Sequence, residues 1–266
     1  MFMKTINKIR EGENTMKSLV YELEEAFFTV VKGAYPGSWE DAGITRSLIM
    51  EIAGIMNERQ LRTPGNLVKT NWRPLQLAGE PESELCSMAM LFRIRYHDGQ
   101  AVEGASFIQA RAKDPGRNSF SSIKKDQLKR VQSIAHHSQL LLYDYDNITG
   151  MAFPATAESV LGAYPASWNR WAPYTVAAVT PSHCALALGS KDAALYKTSL
   201  PWSYQLCFRN FYGLDLDYGD IAVDTARGVR FEKGRARYLV LVSVAHGGAD
   251  LDESFDFDRA AYTEMS

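Results

Sequence analysis

The segment from Met88 to Lys113 constrains the fold of this chain more than any other. An apolar run from Met88 to Tyr96 meets a turn signal at His97-Asp98-Gly99, and a second run follows from Val102 to Lys113. Asp-Gly between two such runs predicts an antiparallel β-hairpin, because glycine accepts the positive φ that a tight turn imposes. Side chains alternate along a strand, so Glu103, Ala105, Phe107, Gln109, Arg111 and Lys113 share one face. Ser106, Ile108, Ala110 and Ala112 share the other. A face that passes from Phe107 to Gln109 and Arg111 puts polar groups where apolar ones are the rule, and such groups need partners or a task. Either the strand lies at a wet sheet edge, or the polar end of this face is a site.

Helical periodicity precedes the hairpin. It runs from Leu19 to Lys32 and stops at Gly33-Ala34-Tyr35-Pro36-Gly37. Ser38-Trp39-Glu40-Asp41 then resembles a capping box and predicts a helix to about Arg59, with Ile44, Leu48, Ile52 and Ile55 as its buried stripe. Glu51 falls on the margin of that stripe, where a carboxylate usually snorkels to water. Pro64-Gly65-Asn66 and the polar stretch from Gly79 to Glu84 predict loops. Val68 to Leu77 reads as a strand in which Pro74 forces an edge or a bend.

After a loop at Asp114 to Asn118, Ser121 or Ser122 is placed to cap a second helix with Ile123, Val131, Ile134 and Ala135 on one face. Gln127 interrupts that face and requires an interior hydrogen-bond partner. The helix is expected to end near His136-His137, whose charge would complement its dipole, and Gln139 to Tyr145 reads as a strand. Tyr174 to Thr180 and Arg237 to Ala245 predict further strands. The latter is almost continuously apolar, the mark of a central strand. Leu206 to Tyr212 suits helix or strand. Asp215, Asp217 and Asp220 lack the spacing of a calcium loop and suggest a solvated turn. The acidic tail from Asp250 to Asp258 predicts terminal disorder. The heptapeptide Gly33 to Trp39 recurs nearly unchanged at Gly162 to Trp168 without its flanks, which suggests a reused aromatic turn and no duplicated domain.

Composition narrows the classes. Lys and Arg total 29 against 31 Asp and Glu, so any nucleic-acid contact must come from a local patch. Cys86, Cys184 and Cys207 have neither disulfide-framework nor zinc-ligand spacing, which fits a reducing cytoplasm. The polar stretch from Met1 to Met16 lacks a signal-peptide core, and Met16 offers a second possible start. No apolar run reaches membrane-span length, so no membrane association is expected. Phosphate-cradling glycine loops, nucleophile elbows and His-rich metal motifs are missing from the sequence.

The order helix, strand, hairpin, helix, strand resembles the core of the restriction-endonuclease-like, PD-(D/E)XK, nuclease superfamily. It looks most like bacterial branches in which the third strand ends in Gln-x-Lys and the next helix carries an inward Gln. The matching residues are Gln109-Ala110-Arg111, Gln127, Glu51 on the first helix, and the closing strand Leu140 to Tyr145. The resemblance spans Trp39 to Tyr145. It implies an α/β fold, with a restriction-endonuclease-like core and central mixed sheet at residues 38–146. A helical segment, 1–37, would precede it, and a C-terminal α+β extension, 147–266, would pack on or complete it.

The implied chemistry is metal-dependent phosphodiester hydrolysis with Mg²⁺ or Mn²⁺. Glu51, Glu84 and Gln109 would surround the metal, and Glu51, Gln109, Arg111, Lys113 and Gln127 would form the catalytic set. The sequence departs from the family pattern in two places. The hairpin partner carries Cys86-Ser87-Met88-Ala89 where an Asp is expected, with Glu82 and Glu84 only upstream. Arg111 replaces the water-activating Lys and is a poor proton acceptor, leaving Lys113 to migrate into that role. Gln109 adds no negative charge, so a site built from Gln109, Arg111 and Gln127 favours phosphate over magnesium.

Local charge points the same way. Arg111, Lys113, Arg117, Lys124, Lys125, Lys129 and Arg130 cluster against Asp114 and Asp126, beside an expected helix N-terminus. Arg117, Lys124, Lys125, Lys129 and Arg130 are either nucleic-acid contacts or a solvated helix face. Two functions follow. One is a cytoplasmic bacterial protein acting on or binding DNA, in antiviral defence or a mobile-element system. The other is a catalytically silent nuclease-fold subunit that serves as a scaffold for a partner protein or forms a homo-oligomer.

Overall fold

The computed structural model describes residues 15–63, 66–79, 84–151 and 175–265. The polar N-terminus, parts of the two expected loops at 64–65 and 80–83, Glu82, Tyr174 and the second heptapeptide lie outside the described residues. Helices α1 (Met16–Ala34) and α2 (Asp41–Met56) precede strands β1 (Arg59–Thr63) and β2 (Asn66–Leu77). The hairpin is β3 (Glu84–Arg95) and β4 (Ala101–Ala112), followed by α3 (Lys125–Gln132) and β5 (Gln139–Tyr143). Then come β6 (Ala177–Pro181), α4 (Ser182–Leu188), a 3-10 turn (Ala193–Thr198) and β7 (Leu200–Pro201). A helical run over 202–212 leads to α5 (Asp220–Ala226), β8 (Arg235–His246) and β9 (Tyr262–Glu264).

These strands form one nine-stranded mixed sheet, in the order β1-β2-β8-β3-β4-β5-β6-β7, with β9 also pairing to β2. The protein is therefore an α/β structure. β3 and β4 pair antiparallel from Met88↔Ile108 to Arg95↔Ala101. Gly99, at φ 83°, makes the expected turn. β5 runs parallel to β4, so α3 is the crossover between them. β8 lies between β2 and β3, antiparallel to the first and parallel to the second. Nearly all of β8 is buried, which explains a continuously apolar sequence in place of alternation. One sheet thus draws strands from both halves of the chain.

Helices α1, α2 and the 202–212 run cover one face, packing on Met88, Met90, Ile108, Leu141 and Val240. The other face lies under α3 and α5, with Leu91, Phe107 and Leu239 at its centre. Among the described residues no helix is long and apolar enough to cross a membrane.

Several elements differ from the sequence expectation for identifiable reasons. α2 buries Ile44, Leu48 and Ile52 as expected, but Thr45, Ile49 and Met56 complete the stripe and Ile55 is only half-buried. Its N-cap is Glu40, without a side-chain cap, and Ser38 plays no capping role. α3 starts at Lys125, not at Ser121 or Ser122, because Asp114 accepts from both Ser121 N–H (2.9 Å) and Ser121 Oγ (2.7 Å). A serine engaged by an upstream turn cannot cap a helix. α3 ends at Gln132, so His136 and His137 lie past the helix end, and their backbone N–H groups donate to Asp217.

Pro74 sits inside β2. Its carbonyl accepts from Met265 N–H at 3.2 Å, so its hydrogen-bonding edge faces away from β8 and the missing N–H breaks no bond to that strand. The acidic tail is not disordered: Phe255 and Phe257 are buried against the sheet, and β9 pairs with β2 just beyond them. The 206–212 segment is helical.

Candidate functional site

The end of β4 and the start of α3, with the start of β3, frame an open cleft of about 1080 Å³. Its lining carries Arg111, Lys124, Lys125, Arg130 and Lys191 against the carboxylates of Glu84 and Asp126. Gln127 also lines it. The antiparallel pairing of β3 and β4 creates this arrangement, because it sets the start of one strand beside the end of the other.

Arg111 is the hub. Its Nε donates to the Ser122 carbonyl (3.0 Å), one Nη to Asp41 (3.2 Å) and to the Ala110 carbonyl (2.6 Å), and the other to Gln127 Oε1 (2.8 Å). Burial pulls its pKa down, and the neighbouring Asp41 and Glu84 carboxylates push it back up. A guanidinium so placed stays charged and has no acceptor to offer. Gln109 is fully buried beside it. In the orientation its neighbours require, the carboxamide oxygen accepts from Ser87 Oγ at 2.8 Å and from Arg111 at 3.2 Å. Gln127 has the interior partners that its place on the helix demands: its Oε1 accepts from Arg111 at 2.8 Å and its Nε2 donates to the Leu85 carbonyl at 3.4 Å.

Lys113 lies elsewhere. Its ammonium is buried 3.1 and 3.0 Å from the two oxygens of Asp144, which also accepts from Tyr196 Oη at 2.7 Å. The Tyr145 ring covers it at 5.0 Å, and Lys113 does not line the cleft. β5 stops at Tyr143, short of Tyr145, where Asp144 turns in to make this pair and to accept from Asp146 N–H at 2.8 Å.

Glu51 is exposed on α2. Ten residues separate it from Asp41, about 15 Å along the axis at 1.5 Å per residue, so the helix brings Asp41 to Arg111 and carries Glu51 away. Glu84 reaches the cleft, but its carboxylate accepts from Arg237 Nε at 2.8 Å. The three residues expected around a metal therefore face solvent, an arginine, and a serine with an arginine. They do not converge, and the buried guanidinium between them opposes a cation. A divalent ion does not fit this set. Of the expected nucleic-acid contacts, Lys124, Lys125 and Arg130 line the cleft, whereas Arg117 and Lys129 are exposed outside it.

Four contributors escape the sequence reading: Asp41, Ser87, Asp144 and Lys191. Ser87 alone had a signal. Continuing the hairpin register outward from the turn sets it opposite Gln109. The other three are brought in by tertiary contacts with no local mark.

Compared with protein-family models, curated proteins and solved structures, the chain matches none.

Proposed function

We propose that this protein is a catalytically silent relative of the restriction-endonuclease-like nucleases and that its cleft binds the phosphate backbone of DNA. The single observation that carries the reading is the saturated network around Arg111. The group standing where a water-activating lysine belongs is tied to Asp41, Ser122 and Gln127. Lys113, the alternative just past the end of that strand, is tied to Asp144. The succession α2, β2, β3, β4, α3, β5 with parallel β4 and β5 supports the kinship. The insertion of β8 is a departure from it.

Lys124, Lys125 and Lys191 are exposed at the lip and form no ion pair among the described residues. The N-terminus of α3 opens between them, adding partial positive charge. A lip of this kind attracts phosphate without reading sequence. A role beside a partner protein, in antiviral defence or mobile-element control, belongs to the same proposal.

The test is fluorescence anisotropy with a labelled duplex across a salt series, run beside a cleavage assay with Mg²⁺ or Mn²⁺. Binding without cleavage is expected, weakening steeply with salt. Lys124→Glu with Lys191→Glu should lower the affinity and reduce the log–log salt slope by about 0.9 for each phosphate that is no longer neutralised. Metal-dependent cleavage abolished by Gln109→Ala would instead establish an active nuclease.

A further inference from the structure

A second pocket opens on the opposite face of the sheet, at the start of β5. Leu140 and Leu142 pack with Phe120 and Leu128 on the α3 side, whereas Leu141 and Tyr143 join the cluster under α1 and α2. Alternation places Gln139 with the latter pair. The pocket measures about 320 Å³, near the lower bound for small-molecule sites.

Three features meet there, the last two of them joined by hydrogen bonds. Gln139 lines the pocket and is only 4% exposed, and its Oε1 has no hydrogen-bond partner among the described residues. A buried carbonyl oxygen left in that state is destabilising, and a turn of the terminal carboxamide toward the pocket lets a ligand donor satisfy it. Next, Gln205–Arg209 is a π-helical turn, a rare geometry frequent at functional sites, and both of its terminal residues line the pocket. Finally, Asp215 is held at φ 57°, a left-handed conformation costly for a non-glycine residue. Its carboxylate accepts from Gln205 Nε2 (2.9 Å) and from Arg209 Nη2 (2.8 Å) and Nε.

That clamp neutralises Asp215 and engages Nε and Nη2 of Arg209, leaving its other amino group for a ligand. Lys197 stands exposed at the mouth and supplies positive charge there. Val179, Pro181 and Leu200 provide an apolar wall. The chemistry called for is an anionic head, a flat or apolar body, and an N–H or O–H donor at the far end.

We propose that this pocket binds a small organic phosphate of mononucleotide size, with the phosphate at Lys197 and Arg209 and a donor of the base on Gln139 Oε1. The proposal is independent of the DNA reading, since it uses other residues on the other face.

The test is calorimetry and thermal unfolding of the full chain with AMP, GMP, CMP and UMP, each beside its nucleoside. At least one nucleotide should bind at millimolar concentration or better and raise the melting temperature, and its nucleoside should bind at least about tenfold more weakly. Gln139→Leu should leave the unliganded protein as stable as before or more so, because it removes an unpartnered polar atom, yet weaken the nucleotide about tenfold or more. A structural glutamine would show the reverse. Lys197→Ala, at an exposed position, gives the same readout should Gln139→Leu fail to fold. Lys124→Glu with Lys191→Glu should leave nucleotide binding unchanged. The proposal is overturned if none of the four nucleotides binds, if Gln139→Leu or Lys197→Ala binds as the wild type does, or if the response disappears with the Lys124 and Lys191 substitutions.

Discussion

Two sets of cationic side chains lie near the end of β4, and they differ in what they touch. Arg111 and Lys113 are buried, and each is met by a carboxylate from a distant part of the chain, Asp41 and Asp144. Lys124, Lys125 and Lys191 are exposed and unpaired among the described residues. The first set holds elements together and has no charge to spare. The second contributes little to the fold and is free to meet an anion. In the sequence all of these cations except Lys191 looked like one basic patch. Charge density alone does not separate a strut from a binding surface; burial and partnership do.

The largest test of this contrast is at Asp144. Asp144→Ala strands the Lys113 ammonium in the interior and should cost about 3–5 kcal/mol of stability in urea unfolding. A loss below about 1 kcal/mol would mean that Lys113 reaches water, and the contrast would collapse. Glu24 offers the inverse case, a buried carboxylate that accepts from the Ser203 hydroxyl and whose pKa burial raises to about 7 from 4.5. Because the folded form holds the proton more tightly, the unfolded form releases it first as pH rises. Stability should therefore fall between about pH 4.5 and pH 7 and level off above. The expected loss is roughly 3 kcal/mol from this group, and Glu24→Gln should flatten that part of the profile.

Arg111→Lys should sit in between. It keeps the charge but cannot reproduce the fork that reaches Asp41, Ser122 and Gln127 together, so a loss of about 1–3 kcal/mol is expected, with DNA affinity unchanged in the folded protein. Cleavage gained by this variant would overturn the silent reading. The smallest stability effect belongs to the lip. Lys124→Glu with Lys191→Glu should change unfolding free energy by no more than about 0.5 kcal/mol while DNA binding falls.

Much of the local structure is legible in the sequence, and the failures share one cause. The hairpin, its turn at Gly99, the central character of β8 and the inward partner of Gln127 follow from periodicity and from one misplaced polar residue. Short-range patterns record such features directly. What the sequence hides is pairing across long separations: Asp41 to Arg111, Lys113 to Asp144, and Lys191 at the cleft. Glu51 attracted attention because it sat on the right helix, but it lies about three turns from the end that matters. The tail misled in a different way. Its acidity suggested disorder, whereas Phe255 and Phe257 alternate with Asp256 and Asp258, the period-two mark of a chain with one buried side.

The position of β8 has a consequence for how the chain is made. Synthesis releases β2 and β3 long before residue 246 leaves the ribosome, yet the strand that joins them is β8. Until then β2 and β3 each present an open edge, and β3 is apolar along most of its length, a combination that invites pairing with other chains. Closing the sheet is a late, long-range event with a large loop-closure entropy, so a slow final folding phase is built into the topology. A nascent chain halted before Arg235 lacks its central strand, and chaperone dependence should peak in that window.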